Sequence, residues 1–189
     1  KAVIVGARGG RSITVADKGS FRKIRKRLWK KLAKIPAVQR KKKYGTVAAL
    51  TALNSVSAMP VKNFEHEYLA EENFKFFNSK TYMAITKTSI NSCSACPIKC
   101  QHLYLKDDSE PIDSKMEINS VWGFGTRLGI QNAEDVLKCN SLCSQYGLDV
   151  DGTTAALCWL FDCYEKGILK DSETEGLSLE WGNTDAVKK

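Results

Sequence analysis

The feature that most constrains this chain is a group of three closely spaced cysteines, here called the cysteine loop: Cys93, Cys96 and Cys100, in the order Cys-x-x-Cys-x-x-x-Cys. Thiolates are soft, charged donors that bind iron and zinc. Three of them on one loop can hold three corners of an iron–sulfur cubane, while a distant cysteine supplies the fourth. The small residues Ser94 and Ala95 leave space for such a cluster. The loop therefore predicts a [4Fe–4S] site for which this chain provides three ligands.

The same three cysteines are compatible with two other interpretations. A structural zinc site would add one of His102, Cys139 or Cys143 as its fourth ligand, and the remaining alternative is that the thiols are free. Zinc sites usually have two pairs of ligands, whereas this sequence has one Cys-x-x-Cys pair. The bacterial ferredoxin spacing, Cys-x-x-Cys-x-x-Cys, is not matched either. These observations favour the iron–sulfur cluster and leave zinc and free thiols open.

The cysteine usage also indicates the compartment. The seven cysteines are an odd number and no secretion signal is visible, which argues against a disulfide framework and for reduced thiols in the cytoplasm. Cys139, Cys143, Cys158 and Cys163 lie on predicted helices, where a buried cysteine usually acts as a small hydrophobic residue. No apolar run approaches the roughly 20 residues that span a bilayer, so no membrane span is predicted.

The positive charge of the chain is concentrated in one segment. Residues 22–43, here called the basic segment, contain twelve Lys and Arg and no acid, whereas the rest of the chain has 17 basic and 21 acidic residues. A nucleic-acid surface usually interleaves aromatic residues with such charges, and only Trp29 does so here. We therefore expect the solvated face of an amphipathic helix, able to dock an acidic partner, and we do not expect nucleic acid.

The pattern along the chain is mostly helical. Within the basic segment, apolar residues recur at three- and four-residue spacing, at Ile24, Leu28, Leu32 and Ile35. Ser20 is the expected N-cap of this helix, and Pro36 lies at or just past its end. Further helices are predicted over 45–56, 69–75, 115–126, 132–147 and 153–166. Asn132 and Gly147 are the expected start and end signals of the fourth of these.

The β content is confined to the start of the chain. Two short β-branched stretches, 2–6 and 12–16, predict a β-hairpin or two adjacent strands. The polar tail, 170–189, is predicted to be a loop. Because no strand–helix alternation recurs, the expected fold class is mostly α, with a short β segment at 1–19 followed by a helical domain at 20–189.

Several short motifs accompany the cysteine loop. They are Lys1–Gly6 (KAVIVG), Met59–Phe64 (MPVKNF), Met116–Gly125 (MEINSVWGFG), Cys139–Asp149 (CNSLCSQYGLD) and Glu165–Gly167 (EKG). In this order and spacing they resemble the aldehyde ferredoxin oxidoreductase family. The resemblance implies a tungsten (sometimes molybdenum) enzyme with a bis-pyranopterin cofactor and one [4Fe–4S] cluster. Such an enzyme oxidises aldehydes to carboxylates and exchanges electrons with ferredoxin or an iron–sulfur subunit.

The resemblance also implies a domain arrangement. Residues 1–19 look like the end of the family's N-terminal β domain, and 20–189 look like its first helical domain, which carries the cysteine loop. Family members are longer, and their fourth cluster cysteine lies in a second helical domain that this sequence does not contain. We therefore expect a partial chain, completed by the remainder of the same enzyme or by a homo-oligomer.

A pterin-binding turn is implied by the same family. Its Asp-x-x-Gly-Leu-Asp motif matches Ser144, Gly147, Leu148 and Asp149. Asp149 fits the second acid, whose carboxylate can accept two N–H groups of a pterin. Ser144 replaces the first acid and can accept one hydrogen bond without charge. Without the resemblance, Gly-Leu-Asp is interpreted as a helix C-cap and turn.

A catalytic acid near the metal is implied at Glu117 or, in an alternative register, at Asn119. An acid at Glu117 could move protons during two-electron chemistry, a role that Asn119 would lose. The family also includes low-potential, dearomatising aryl-CoA reductases, for which Glu65 and His66 are candidate proton-transfer residues. Two exposed polar residues are the simpler interpretation of that pair. A non-catalytic zinc or iron–sulfur interaction module with a basic helix is the remaining functional alternative.

Overall fold

The chain is mostly helical, as predicted. The computed structural model describes residues 14–84, 87–105, 111–113 and 116–189. Its α-helices are α1 (Lys18–Ala33), α2 (Pro36–Tyr44), α3 (Leu50–Ser55), α4 (Glu71–Phe74), α5 (Ser79–Ala84), α6 (Ile118–Ser120), α7 (Ala133–Tyr146), α8 (Val150–Glu165) and α9 (Thr184–Lys188). Short 3-10 helices cover Thr46–Ala49 and Asp171–Glu173, and a π-helix, Val121–Arg127, continues α6. In the described ranges, no helix combines the length and apolar character needed to cross a membrane.

A small antiparallel sheet, not predicted from the sequence, contains the two strands that the cysteine loop connects. Its strands pair in the order β1 (Lys87–Asn91), β2 (Gln101–Leu105), β3 (Pro111–Asp113). Asn91 lies opposite Gln101, so the cysteine loop is the connection of the β1–β2 hairpin. His102 and Tyr104 on β2 are both buried, because alternate residues of a strand point to the same face.

The β-hairpin predicted near the start of the chain is largely outside the described residues. The stretch 2–6 and the first part of 12–16 are not described, and 14–16 are not in a strand. The predicted division into a β domain at 1–19 and a helical domain at 20–189 therefore stays a prediction.

The basic segment forms two helices instead of one. The first begins after Asp17 and not after Ser20, because the Asp17 carboxylate accepts the backbone N–H groups of Gly19 and Ser20 at 2.8 and 3.0 Å. This helix ends at Ala33, and Pro36 begins α2, where the N–H that proline lacks is not needed. Neither α1 nor α2 contains a buried residue, so the basic segment is a surface feature.

The helices α7 and α8 form a helical hairpin that supplies much of the core. Asn132 caps α7, which ends at Gly147 in the left-handed conformation, as predicted. The second helix begins at Val150, earlier than expected, because Asp149 is its N-cap. Tyr146 is 73% exposed, since it lies in the last turn of α7 beside the connection.

The C-terminal tail packs on this hairpin. Leu179 is buried, and the ring of Trp181 lies 5.6 Å from that of Phe161. The Trp181 indole N–H donates to Glu165 Oε2 at 2.8 Å. The loop predicted over 170–189 is correct around these anchors and wrong at Asp171–Glu173 and Thr184–Lys188, which are short helices.

The predicted helical segment around Trp-Gly-Phe-Gly is α6 followed by the π-helix. Two glycines bring it very close to its neighbours, since a Cβ at Gly123 would lie 2.8 Å from Thr154 Cγ2. A Cβ at Gly125 would lie 2.9 Å from Phe77 Cε1. These contacts hold α6 and the π-helix in place directly after Glu117. Turns of π-helix are frequent at functional sites.

Candidate functional site

The cysteine loop is a tight, accessible connection between β1 and β2. The Cys96 N–H donates to the Cys93 carbonyl at 3.0 Å, which closes a turn. Ala95 and Lys99 have positive φ angles of 57° and 56°, which residues with a side chain rarely adopt. Cys93 is exposed, and Cys96 and Cys100 are partly exposed, so a ligand can reach all three.

The three thiols suit a cluster, but they do not form a closed metal site by themselves. Burial, followed by the negative charge of Glu117, raises the pKa of the Cys100 thiol, and Cys96 and Cys93 add to the rise. The thiols of Cys93 and Cys96 therefore lie near enough to Cys100 to affect its charge. Among the described residues, no three His, Cys, Asp or Glu side chains are placed to hold a metal ion. As a set of soft donors they fit three corners of an iron–sulfur cluster, which would need a further ligand from outside the loop.

Among the described residues, none of the three candidates for a fourth zinc ligand forms a metal-binding group with these thiols. His102 is buried, its Nε2 lies 3.2 Å from a backbone carbonyl of α2, and its Nδ1 has no hydrogen-bond partner in the described part of the chain. Cys139 and Cys143 are buried on α7, where burial raises the pKa of both thiols, to about 12 for Cys139. Cys158 and Cys163 are also buried, so these four are the small hydrophobic residues that were predicted. The zinc site stays a prediction.

A contact between the 3-10 helix that follows α2 and the start of α6 holds Glu117 near the cysteine loop. Thr46 Oγ1 donates to Glu117 Oε2 at 2.5 Å and accepts the Ile118 N–H at 2.9 Å. Gly45 lies against the loop, because a Cβ there would be 3.2 Å from the Cys100 carbonyl oxygen. Thr46 was not singled out from the sequence, since 71 positions separate it from Glu117. Gly45 and Thr46 lie just past the basic segment, and no local pattern there indicates the contact.

The two candidate registers for the catalytic acid point to different neighbours. Glu117 faces Thr46, next to the cysteine loop. Asn119 Nδ2 donates to Asp151 Oδ2 at 2.7 Å, in the first turn of α8. The geometry therefore places the glutamate and not the asparagine beside the loop. The segment from Glu117 to Asn119 connects the loop to the helix that Asp149 caps.

The Gly147–Asp149 turn performs the structural role expected of it. Gly147 has a φ of 68°, and the Leu148 N–H donates to a carbonyl of the last turn of α7 at 2.8 Å. Asp149 Oδ2 accepts the Gly152 N–H at 2.6 Å and so caps α8. The helix-cap interpretation is correct, and it leaves the pterin-binding role untested.

The surroundings of this turn leave room for a ligand. The Asp149 side chain is exposed. Ser144 is also exposed, and its hydroxyl donates to the Asn140 carbonyl at 3.2 Å. Cys143 and Leu148 line a cavity of about 140 Å³ beside the turn. Asp149 and Ser144 can therefore be reached by a planar, hydrogen-bonding group.

Glu65 and His66 are exposed and lie on a different part of the molecule. His66 pairs with Val61 across a short turn. The Lys62 N–H donates to the Thr126 carbonyl at 3.2 Å, which attaches this turn to the end of the π-helix. Glu117, in contrast, precedes the opposite end of the element formed by α6 and the π-helix. This separation from the candidate catalytic acid supports the simpler interpretation of Glu65 and His66 as two exposed polar residues.

Comparison with known proteins identifies the family. The sequence model described as "Aldehyde ferredoxin oxidoreductase, domains 2 & 3" matches residues 23–189. The chain is similar to the tungsten-containing aldehyde ferredoxin oxidoreductases of Pyrococcus furiosus (31% identity over 99% of this chain and 30% of the relative) and Thermococcus kodakarensis (28% identity, 99% and 31%). It is also similar to an "Aliphatic sulfonate oxidoreductase, WOR-like subunit" of Pyrococcus furiosus (27% identity, 93% and 28%). It spans less than a third of the length of these relatives. Since the family model covers most of it, the chain belongs to the aldehyde ferredoxin oxidoreductase family.

Proposed function

We propose that this chain is part of a cytoplasmic tungsten pterin oxidoreductase that converts aldehydes to carboxylates and passes the electrons to a ferredoxin-like partner. The names of the relatives from Pyrococcus furiosus and Thermococcus kodakarensis, which contain the words tungsten, aldehyde and ferredoxin, support this activity. The structural observation that carries the proposal is the connection from the cysteine loop, through Glu117 and Asn119, to the helix capped by Asp149. When bound, a pterin-held tungsten (or molybdenum) supplies two-electron chemistry and a [4Fe–4S] cluster supplies one-electron transfer.

In this proposal the cysteine loop holds the cluster. Cys93, Cys96 and Cys100 provide three thiolates, and the fourth ligand comes from the remainder of the enzyme or a second copy. The paired strands β1 and β2 fix both ends of the loop. Ligands presented from such a rigid hairpin keep their spacing, which a cluster requires.

Glu117 is the proposed proton carrier. Thr46 donates to its Oε2 and accepts the N–H of the next residue, so the carboxylate has a defined position at the start of α6. A positioned carboxylate can take or return a proton during the oxidation of a carbonyl group. Asn119 has no ionisable group and serves to join this segment to α8.

Asp149 is the proposed pterin-binding carboxylate, with Ser144, Gly147 and Leu148 around it. Its Oδ2 accepts the Gly152 N–H, which fixes the orientation of the side chain. A carboxylate has about four acceptor sites, so capping α8 leaves capacity for N–H groups of a pterin. Ser144 adds a hydroxyl whose lone pairs can accept one more hydrogen bond.

The pterin assignment is tested with two variants at one position. Asp149→Asn keeps an N-cap oxygen for α8 but removes the charge and one acceptor, so we expect an intact fold with a reduced pterin content. Asp149→Ala removes both roles and should also lose about 1 kcal/mol of stability. Pterin is measured by fluorescence after oxidative release from the native enzyme. A full pterin content in Asp149→Asn would show that the carboxylate is only a cap.

The cluster assignment is tested by metal analysis and electron paramagnetic resonance of the anaerobically purified native enzyme. We expect iron, tungsten or molybdenum, and a reduced-cluster signal. Cys96→Ser should lose iron and this signal, whereas the matched control Cys163→Ala, on the buried face of α8, should keep both. Zinc without iron, or an unchanged iron content in Cys96→Ser, would contradict the proposal.

The substrate class is tested with a viologen dye as the electron acceptor. Oxidation of aliphatic or aromatic aldehydes by the native enzyme supports the proposed reaction. Activity confined to an aliphatic sulfonate, the class in the name of one relative, or reduction of an aryl-CoA thioester, would replace aldehydes with that substrate.

A further inference from the structure

The basic segment has no part in the proposed site, yet it ends beside the cysteine loop. The last turn of α2 carries Lys41, Lys42 and Lys43, all of them exposed. Directly after this helix, Gly45 approaches the loop so closely that a Cβ would lie 3.2 Å from the Cys100 carbonyl oxygen. The helix turn that carries these three exposed lysines therefore ends beside the cysteine loop.

A buried contact keeps these charges in position. His102, on the strand that follows the loop, is 1% exposed, and its Nε2 lies 3.2 Å from the Lys42 carbonyl oxygen. A carbonyl oxygen only accepts hydrogen bonds, so the imidazole must donate here. The last turn of α2 is thus attached to β2, and the lysines cannot drift away from the loop without breaking this bond.

The positive charge of α2 is not neutralised within the described residues. The basic segment holds twelve cations and no acid, and no Asp or Glu of the described ranges forms a salt bridge with Lys41, Lys42 or Lys43. The Lys43 ammonium lies 5.0 Å from the Tyr44 ring, a contact that leaves its charge intact. A surface of one sign attracts a partner of the opposite sign and accelerates its association.

We propose that Arg40, Lys41, Lys42 and Lys43 form the docking surface for an acidic iron–sulfur electron carrier. The inference rests on the proposed function, because the carrier exchanges electrons with the cluster that the cysteine loop would hold. Docking on α2 brings the carrier next to Cys100, the ligand that Gly45 contacts. The anionic surface of the carrier meets the lysines, and the carrier's own cluster faces the loop.

The chemistry of α2 fits a protein better than a membrane or a nucleic acid. Its apolar residues Pro36 and Ala37 line a cavity of about 310 Å³ together with Arg40, Lys41, Ala48 and Ala49, so the apolar side of α2 faces the neighbouring 3-10 helix. A membrane-bound helix instead buries an apolar face in lipid. Binding of single-stranded nucleic acid relies on stacking aromatics, and α2 contains only Tyr44, at its last position.

The test neutralises the surface in the native enzyme by the triple change Lys41→Gln, Lys42→Gln and Lys43→Gln. Association with a reduced, acidic ferredoxin is followed by stopped-flow absorbance, and the dissociation constant by surface plasmon resonance. At about 0.02 M salt, where charges act over roughly 20 Å, we expect about tenfold slower association and a weaker complex. At about 0.5 M salt, screening should remove the difference from the unmodified enzyme.

The matched control makes the same change of net charge on α1, by Lys18→Gln, Lys23→Gln and Lys26→Gln. These lysines are also exposed, but α2 lies between their helix and the cysteine loop along the chain. We expect less than about a twofold change in association for this control. Equal losses in both triple variants would overturn the proposal, because a general field of the basic segment, and not the surface at the loop, would then attract the carrier.

Two further measurements separate this inference from the proposed function. Viologen-linked turnover and the cluster signal should be unchanged in both triple variants, because neither reports docking of a protein. If the native enzyme contains no cluster, the proposed function is refuted. The docking surface is tested separately, because binding of ferredoxin is measured directly and requires no turnover. Unaltered ferredoxin binding by the Lys41–Lys43 variant would overturn the docking surface alone. Binding of phosphatidylserine vesicles through these lysines, without binding of ferredoxin, would replace the carrier with a membrane.

Discussion

Gly123→Ala is expected to weaken the contact between the π-helix and α8. A Cβ at this buried position would lie 2.8 Å from both Cγ2 and Oγ1 of Thr154 and 3.1 Å from its Cβ. Thr154 cannot easily move aside, because it is 0% exposed and its hydroxyl donates to the Val150 carbonyl at 2.9 Å. The backbone of one helix must therefore shift.

The size of this effect follows from two opposing contributions. Overpacking a well-packed core destabilises by about 1–3 kcal/mol, and clashes with three atoms argue for the upper half of that range. Alanine is favoured over glycine within a helix by about 0.5–1 kcal/mol. The free energy of unfolding should therefore fall by about 1–2 kcal/mol. Thr154→Ala removes two of the clashing atoms, so the two substitutions should be coupled by about 2 kcal/mol.

Hydrogen–deuterium exchange of the native enzyme measures this change locally, in peptides from α6, the π-helix and α8. A loss of about 1–2 kcal/mol corresponds to roughly 5- to 30-fold faster exchange through local opening. Adding Thr154→Ala to Gly123→Ala should restore slow exchange. Gly147→Ala is the control, because a Cβ there meets nothing within 4 Å and its cost comes from a φ of +68°. Strictly additive effects of Gly123→Ala and Thr154→Ala would refute the reasoning.

The buried thiols and the α7 cap give three further expectations. In the reduced, metal-free protein at about pH 8, iodoacetamide should label the exposed Cys93 but not the buried Cys139 and Cys158. Burial raises the pKa of these two thiols to about 12 and about 11, so they stay protonated and unreactive. Equal labelling of all three, measured by mass spectrometry, would contradict this expectation. In the unfolded chain these two thiols lose their protons near pH 9.0, and in the folded protein they do so only at higher pH. The free energy of unfolding should therefore be constant below pH 9.0 and fall above it. An unchanged denaturation midpoint at about pH 10 would contradict this expectation. Asn132→Ala should cost about 1 kcal/mol and Asn132→Asp almost nothing, as measured by exchange in the first turn of α7.

The helices that were predicted correctly are those whose boundaries are determined locally. Asn132 accepts two backbone N–H groups within three residues, and Gly147 adopts a conformation that most residues avoid. Both signals are visible in the sequence because cap and capped group are neighbours. Asp17 and Ser20 show the limit of this reasoning, since both are good caps and only the geometry selects Asp17.

The sheet and the Thr46 contact were missed because they depend on pairings between distant residues. The strands β1 and β2 have five residues each, too few for a clear alternation of polar and apolar residues. Thr46 and Glu117 meet across 71 positions, and no local pattern encodes that contact. The docked tail rests on a few anchors, such as Leu179 and Trp181, within an otherwise polar stretch.

The candidate site residues lie where helices or strands begin or end, which limits what residue type alone can say. Unsatisfied backbone groups at helix ends favour Asp, Asn and Gly for structural reasons, so Asp149 is explained by its cap before any ligand is considered. Glu117 is different. It occupies the N-cap position of α6 without making a side-chain cap hydrogen bond, and it accepts instead from Thr46. Glutamate is not a preferred N-cap, so capping explains the residue type at Asp149 but not at Glu117, where the contact with Thr46 takes its place.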